Sequence, residues 1–268
     1  MPAELRRARL ARAGERRGRR DAGRALWATL LLALAVGWGP APAPAGADVG
    51  ASVHPSFLPD ALGARTAFSF ALRLRGPGED GVPPPVRRMV IHLPAGLGID
   101  LSGAPSCRPA RLRRSGPRGC PPGSLVGRGH ATLAVHAGSQ SIPEQAVVQA
   151  FRAPDRGGRP ALMILSRGDT PLQQQTLSTG SLAPDRPPYG LKLIVSVPPI
   201  PTLVLEPEAS IVSFSLTVGS AGARPRAHTA AGTVTVPRRC PAGGFPFAAD
   251  FSFSDFTASR AAARIPCP

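Results

Sequence analysis

Apolar and polar residues alternate along most of the chain beyond residue 60. Phe68, Phe70, Leu72 and Leu74 are separated by Ser69, Ala71 and Arg73. Met89, Ile91 and Leu93 alternate with Val90 and His92, and Leu191, Leu193, Val195 and Val197 form a third set. Val212, Phe214, Leu216 and Val218 alternate with Ser213, Ser215 and Thr217. Val234 and Val236, and Phe251 and Phe253, mark shorter runs. A period of two puts successive side chains on opposite faces of a strand. Residues 145–152 and 161–166 predict two more strands, the second a continuous apolar run. Clusters such as Pro83-Pro84-Pro85, Pro121-Pro122 and Pro198-Pro199 punctuate the runs. An apolar face backed by Ser, Thr and Arg is what an antiparallel sheet with one buried face requires. The expected class is therefore all-β, an antiparallel β-sandwich over 48–268: one large sandwich, or two smaller ones with a sub-boundary near 155–190. The segments 76–86, 103–126, 167–190 and 219–230 read as long prolyl loops, and no amphipathic helix of three turns is expected beyond the N-terminal region.

Residues 1–47 have a different pattern. Nine arginines stand against Glu4, Glu15 and Asp21 up to Arg24; an uncharged apolar run follows from Ala25 to Val36, then a Pro/Ala/Gly stretch ending Ala45-Gly46-Ala47. Basic, apolar, then small-x-small is the order of a secretory signal peptide, with cleavage expected after Ala47. The apolar run is shorter than the roughly 20 residues a spanning helix needs. An uncleaved anchoring helix is the competing reading. Arg19-Arg20 raises twin-arginine export, but Asp21-Ala22-Gly23 stand where that route prefers apolar residues, so general and twin-arginine export both stay open. Either way the expected location is extracellular or cell-envelope associated.

Composition sharpens this picture. The 268 residues include 30 Gly and 33 Pro, which disfavours helical bundles, while 43% hydrophobic residues disfavour full disorder. The formal charge is +16. Only one basic residue beyond histidine, Lys192, is not arginine, and asparagine is absent. Arg, Ala, Gly and Pro have GC-rich codons, so the arginine excess reads first as genome composition and only second as a phosphate-binding trait.

The four cysteines are Cys107, Cys120, Cys240 and Cys267. An even number in an exported chain reads as disulfides, with three pairings open. Local pairing, Cys107–Cys120 and Cys240–Cys267, is the most economical, each bridge contributing roughly 3 kcal/mol through loop entropy. A Cys/His zinc site using His130 and His136 fails on geometry, because six residues of strand place the two about 20 Å apart. No metal and no cofactor are expected.

Several motifs have a familiar look: His92-Leu93-Pro94-Ala95-Gly96-Leu97-Gly98-Ile99-Asp100, leading to Cys107 and then Cys120-Pro121-Pro122-Gly123-Ser124-Leu125-Val126-Gly127; later Cys240-Pro241-Ala242-Gly243-Gly244-Phe245 and the terminal Pro266-Cys267-Pro268. The chain resembles a set of secreted Pro/Gly-rich β-proteins of high-GC actinobacteria over most of 60–268. The resemblance implies export, paired cysteines and a β fold, and it implies no catalytic residues.

No nucleophile elbow, phosphate-binding loop or zinc-protease motif occurs. Glu206 and Glu208 have the spacing of paired carboxylates, about 7 Å apart on a strand, but Pro207 between them favours a solvated turn. Arg167-Gly168-Asp169 is a tripeptide that arises by chance. The sharpest feature lies between Cys107 and Cys120, where Arg108, Arg111, Arg113, Arg114 and Arg118 occur without an acid. Guanidiniums fork onto phosphate or carboxylate, and a disulfide at the loop base would pre-order them. An anionic envelope polymer or lipid surface is the expected partner. Nucleic acid is not expected, since no aromatic residue interleaves these arginines to stack on bases. Protein partners are not specified. The expected function is that of a non-enzymatic secreted or envelope-associated binding module; the alternative is an extracellular hydrolase with an unrecognised site.

Overall fold

The computed structural model describes residues 48–77, 80–137, 140–170, 173–202, 206–219 and 233–268, so the expected signal peptide 1–47 and most of the 219–230 loop lie outside the described residues. Thirteen strands alternate in direction: β1 (Gly50–Leu58), β2 (Arg65–Arg75), β3 (Val86–Pro94), β4 (Gly98–Asp100), β5 (Leu125–Ala137), β6 (Gln140–Arg156), β7 (Arg159–Thr170), β8 (Gln175–Pro184), β9 (Tyr189–Ser196), β10 (Ser210–Gly219), β11 (Thr233–Thr235), β12 (Phe245–Phe253) and β13 (Ala258–Ile265). Among the described residues one short α-helix, α1 (Pro109–Ser115), sits between β4 and β5, followed by a single 3-10 turn at Pro117–Gly119. Among the described residues no helix is long and apolar enough to cross a membrane.

All strands belong to one antiparallel sheet of order β13-β12-β3-β9-β8-β7-β6-β5-β10-β2-β11-β4, with β1 on the free side of β2. The sheet folds over until its two ends meet. There the Ser259 hydroxyl of β13 donates to the Val49 carbonyl at the foot of β1 (2.6 Å), and Phe57 packs on Phe245 and Phe247 of β12 at 5.9 and 6.0 Å between ring centroids. The alternating apolar positions fill the interior: Phe70, Leu72, Ile91, Leu93, Val195, Phe214 and Phe251 are all buried. This is the antiparallel β architecture expected from the alternation, built by one sheet closing on itself.

The stretch 167–190, read as a loop, is largely strand. β7 runs on to Thr170, and β8 occupies Gln175–Pro184. The inward positions of β8 are Thr176, Ser178, Gly180 and Leu182, so three of the four carry no apolar signature. Gly180 is closely packed: a Cβ there would meet the Leu193 side chain at 3.2 Å.

The continuous apolar run 161–166 has its own explanation. Leu162 and Ile164 enter the main core, whereas Met163 and Leu165 face outward into a second, smaller cluster with Phe151, Ala153, Ala161, Cys107 and Leu112. A strand buried on both faces loses its alternation. What covers the outer face is α1.

Candidate functional site: the bridged arginine segment and the His92 cluster

Residues 101–124 leave the sheet, cross the outside of β6 and β7, and return. Pro109 opens α1, where a missing amide is harmless, and Gly116 closes it at φ +60°, a conformation that favours glycine. Leu112 is fully buried against Phe151, Met163 and Leu165, anchoring the helix to the sheet. Cys107 and Cys120 are bridged, with Cα atoms 5.2 Å apart. Arg152 of β6 holds both limbs of the loop. Its carbonyl accepts from the Cys107 amide (2.8 Å), its amide donates to the Ser124 carbonyl (2.9 Å), and its guanidinium donates to the Ser102 and Ala104 carbonyls (3.2 and 2.5 Å).

With the helix pinned this way, Arg108, Arg111, Arg113, Arg114 and Arg118 are all exposed. Arg108, Arg111 and Arg114 follow at three-residue spacing and therefore share one side. They border an open depression of about 690 Å³ with Ser106, Ser115 and Pro121. No acid lies between residues 101 and 124. The nearest, Asp100, is engaged by Ser102, whose hydrogen bonds hold its carboxyl below the usual range, with Arg152 and Arg65 adding to the effect. Among the described residues none of the five arginines is in an ion pair.

The second bridge, Cys240–Cys267, has Cα atoms 6.0 Å apart and ties the end of β13 to the approach to β12. Gly244 in that approach has φ +88°, and a Cβ there would meet the Ile265 carbonyl at 2.3 Å, so only glycine fits.

A polar cluster on the outer face escaped the sequence reading. His92 sits on β3 between β12 and β9, opposite Ala248 and Lys192. Its Nδ1 lies 2.5 Å from Asp185 Oδ2 and its Nε2 2.8 Å from Asp250 Oδ2. Arg260 of β13 donates to the other Asp250 oxygen at 2.8 Å, Lys192 Nζ stands 3.5 Å from Asp185, and the Tyr189 ring is 5.0 Å from the imidazole. Asp185 is only 7% exposed. Burial works against its ionisation, but hydrogen bonds from His92 and the Arg186 amide and the nearby charges of His92 and Lys192 outweigh it, so its carboxyl is held below the usual range. A ring with both nitrogens against carboxylates donates on both sides only as the imidazolium. In that arrangement neither nitrogen is left for a substrate. No single sequence window holds this cluster: its members lie 93 and 158 residues from His92. The one available hint was His92 on the polar face of a strand whose opposite face is wholly apolar.

The other sequence candidates are dispersed. His130 is exposed and His136 half-buried on β5, six residues apart on one strand. Glu208 is paired with Arg87 at 2.6 Å. Arg167-Gly168-Asp169 lies within β7 rather than at a loop tip. Among the described residues, no group of three or more His, Cys, Asp or Glu side chains could hold a metal. The interior contains an apolar cavity of about 60 Å³ walled by residues such as Phe70, Ile91, Leu162 and Leu216. A smaller space of about 30 Å³ is bordered by Glu144, Ser166, Thr176 and Ser178. Both fall well below the roughly 300 Å³ at which drug-sized ligand pockets begin.

No protein-family model matches this chain, and no match was found among curated proteins or solved structures.

Proposed function

We propose that this is an exported, envelope-associated β-sandwich that acts as a non-enzymatic binding module, holding anionic envelope components through the bridged arginine segment. One observation carries the reading: five exposed arginines without an acidic partner are displayed on and beside a short helix, in a segment fixed by Leu112, Arg152 and a disulfide. A rigid display lowers the entropy lost on binding, and charges within about 8 Å of one another act together at physiological salt. Two disulfides support a life in an oxidising compartment.

The hydrolase alternative has the His92 cluster as its best support, since Asp185, His92 and Asp250 do converge. They converge on the outer sheet face with each ring nitrogen already occupied, which favours the binding reading. The test is capture of the exported protein on isolated envelope fractions at low and high salt. Capture should fall steeply with salt and be lost on replacing Arg111, Arg113 and Arg114 by serine. Equal capture of this variant and the wild type would refute the reading.

A further inference from the structure

Because the strands alternate in direction, their connections fall at two ends of the sandwich, and the two ends differ in charge. One end carries the bridged segment. To its five arginines the same end adds Arg156 and Arg159 at the β6–β7 hairpin, Arg186 in the β8–β9 turn, and Arg238 and Arg239 ahead of β12, all exposed. The acids there are Asp60, Asp100, Asp155 and Asp185. Three of these are already engaged: Asp100 by Ser102, Asp155 by Arg152 at 3.6 Å, and Asp185 by His92 and Lys192. The opposite end carries Asp48, Asp80, Glu206, Glu208 and Asp255 against Arg73, Arg75, Arg87, Arg88 and Arg167, an even balance. Codon bias raises arginine everywhere alike; it does not choose an end.

Building on the anion-binding reading above, we propose that this whole basic end is a docking face for an anionic lipid bilayer. The span argues for an extended partner. Arg156, Arg186 and Arg238 hang from connections along the run β6-β7-β8-β9-β3-β12, six neighbouring strands. At about 4.8 Å per strand that arc is roughly 24 Å, about three Debye lengths at physiological salt. One small anion meets only a part of such a surface, whereas a charged plane meets all of it.

The apolar residues argue for lipid over a phosphate polymer. The β1–β2 turn at this end exposes Leu58 (73%) and Leu62 (46%). Its Gly63 lies against the Arg238 side chain and donates its amide to the Val236 carbonyl at 3.2 Å, which brings the turn that carries both leucines next to Arg238. An interface of headgroups over hydrocarbon receives both kinds of side chain; a polymer of phosphates receives only the arginines. Phe256 (98%) and Ile142 (37%) are exposed at the opposite end, where the acids balance the arginines, and would face away.

The test is co-sedimentation of the exported protein with phosphatidylglycerol–phosphatidylcholine vesicles, with phosphatidylcholine vesicles and soluble polyphosphate as the other arms. Replacing Arg156, Arg159, Arg238 and Arg239 by serine, with the bridged segment intact, should weaken binding to the anionic vesicles by on the order of tenfold or more. The same four positions changed to lysine should keep it, which guards against a serine variant that simply fails to fold. Leu58→Ser with Leu62→Ser should weaken vesicle binding severalfold and leave polyphosphate binding unchanged, and Phe256→Ser should change neither. If the four-serine variant binds like wild type while the Arg111/Arg113/Arg114 variant does not, the bridged segment acts alone and the docking face is overturned with the anion-binding reading intact. Binding to polyphosphate but not to vesicles, or loss of vesicle binding in Phe256→Ser, overturns the bilayer face. Binding to neither anionic partner overturns both.

Discussion

The bridged arginine segment and the His92 cluster stand on the outside of the same sheet and handle charge in opposite ways. In the segment, a buried leucine and a disulfide fix the backbone while five cations are left exposed without acids. In the cluster, Asp185 and Asp250 are matched by His92, Lys192 and Arg260, and the half-buried network joins β3, β9, β12, β13 and the β8–β9 turn. Compensated charge holds elements together and gives up its capacity to bind. Uncompensated charge contributes little to folding and keeps that capacity. Anchor and display are separable in the first region and are the same atoms in the second.

That contrast can be broken by mutation. The largest effect is expected where the display is fixed: Leu112→Ala should cost about 2–4 kcal/mol, the usual range for truncating a buried leucine, read as a lowered urea midpoint. If the midpoint holds, the helix is not anchored as described. Next, His92→Ala should cost roughly 2 kcal/mol, because it leaves the largely buried Asp185 carboxylate without its main partner. A smaller effect is expected for Asp185→Asn, and it should depend on pH. The folded protein holds this carboxyl below its unfolded value. Its contribution is therefore complete above the unfolded value near pH 4 and is lost as pH falls through the folded value. The wild type should lose stability over that acid range and the Asn variant should lose less; parallel curves would contradict the ion pair. The smallest effect is expected for the Arg111/Arg113/Arg114 serine variant, within about 0.5 kcal/mol of wild type. A larger loss in thermal unfolding would mean that these arginines are structural.

Most of the architecture was legible because inward residues are apolar. β2 alternates along its whole length and β3 from Met89 to Leu93, whereas in β10 a bulge at Ile211–Ser213 brings Ile211 into the core in place of the expected Val212. β8 was hidden because Thr176, Ser178 and Gly180 face inward, and β13 because its buried positions are Ala261 and Ile265 in a run of alanine and arginine. The two-sided burial of Met163 and Leu165 left a mark, a continuous apolar run, but not its cause, since α1 lies some fifty residues earlier. Of the candidate site, the arginine count and the local cysteine pairing could be read directly. The common end shared by Arg156, Arg186 and Arg238 could not, because strand direction and order decide it.

The meeting of β1 and β13 has a consequence for how the protein behaves in a crowd. A free sheet edge offers unpaired amides and carbonyls to any neighbouring chain and is a standing route to aggregation. Here each edge shelters the other, and β1 carries Pro55, a residue that sheets tolerate at an edge. The Cys240–Cys267 bridge secures the far end of β13. Reducing that bridge would free β13 to peel away, and the exposed flanks of β1 and β12 would then be templates for other copies of the chain.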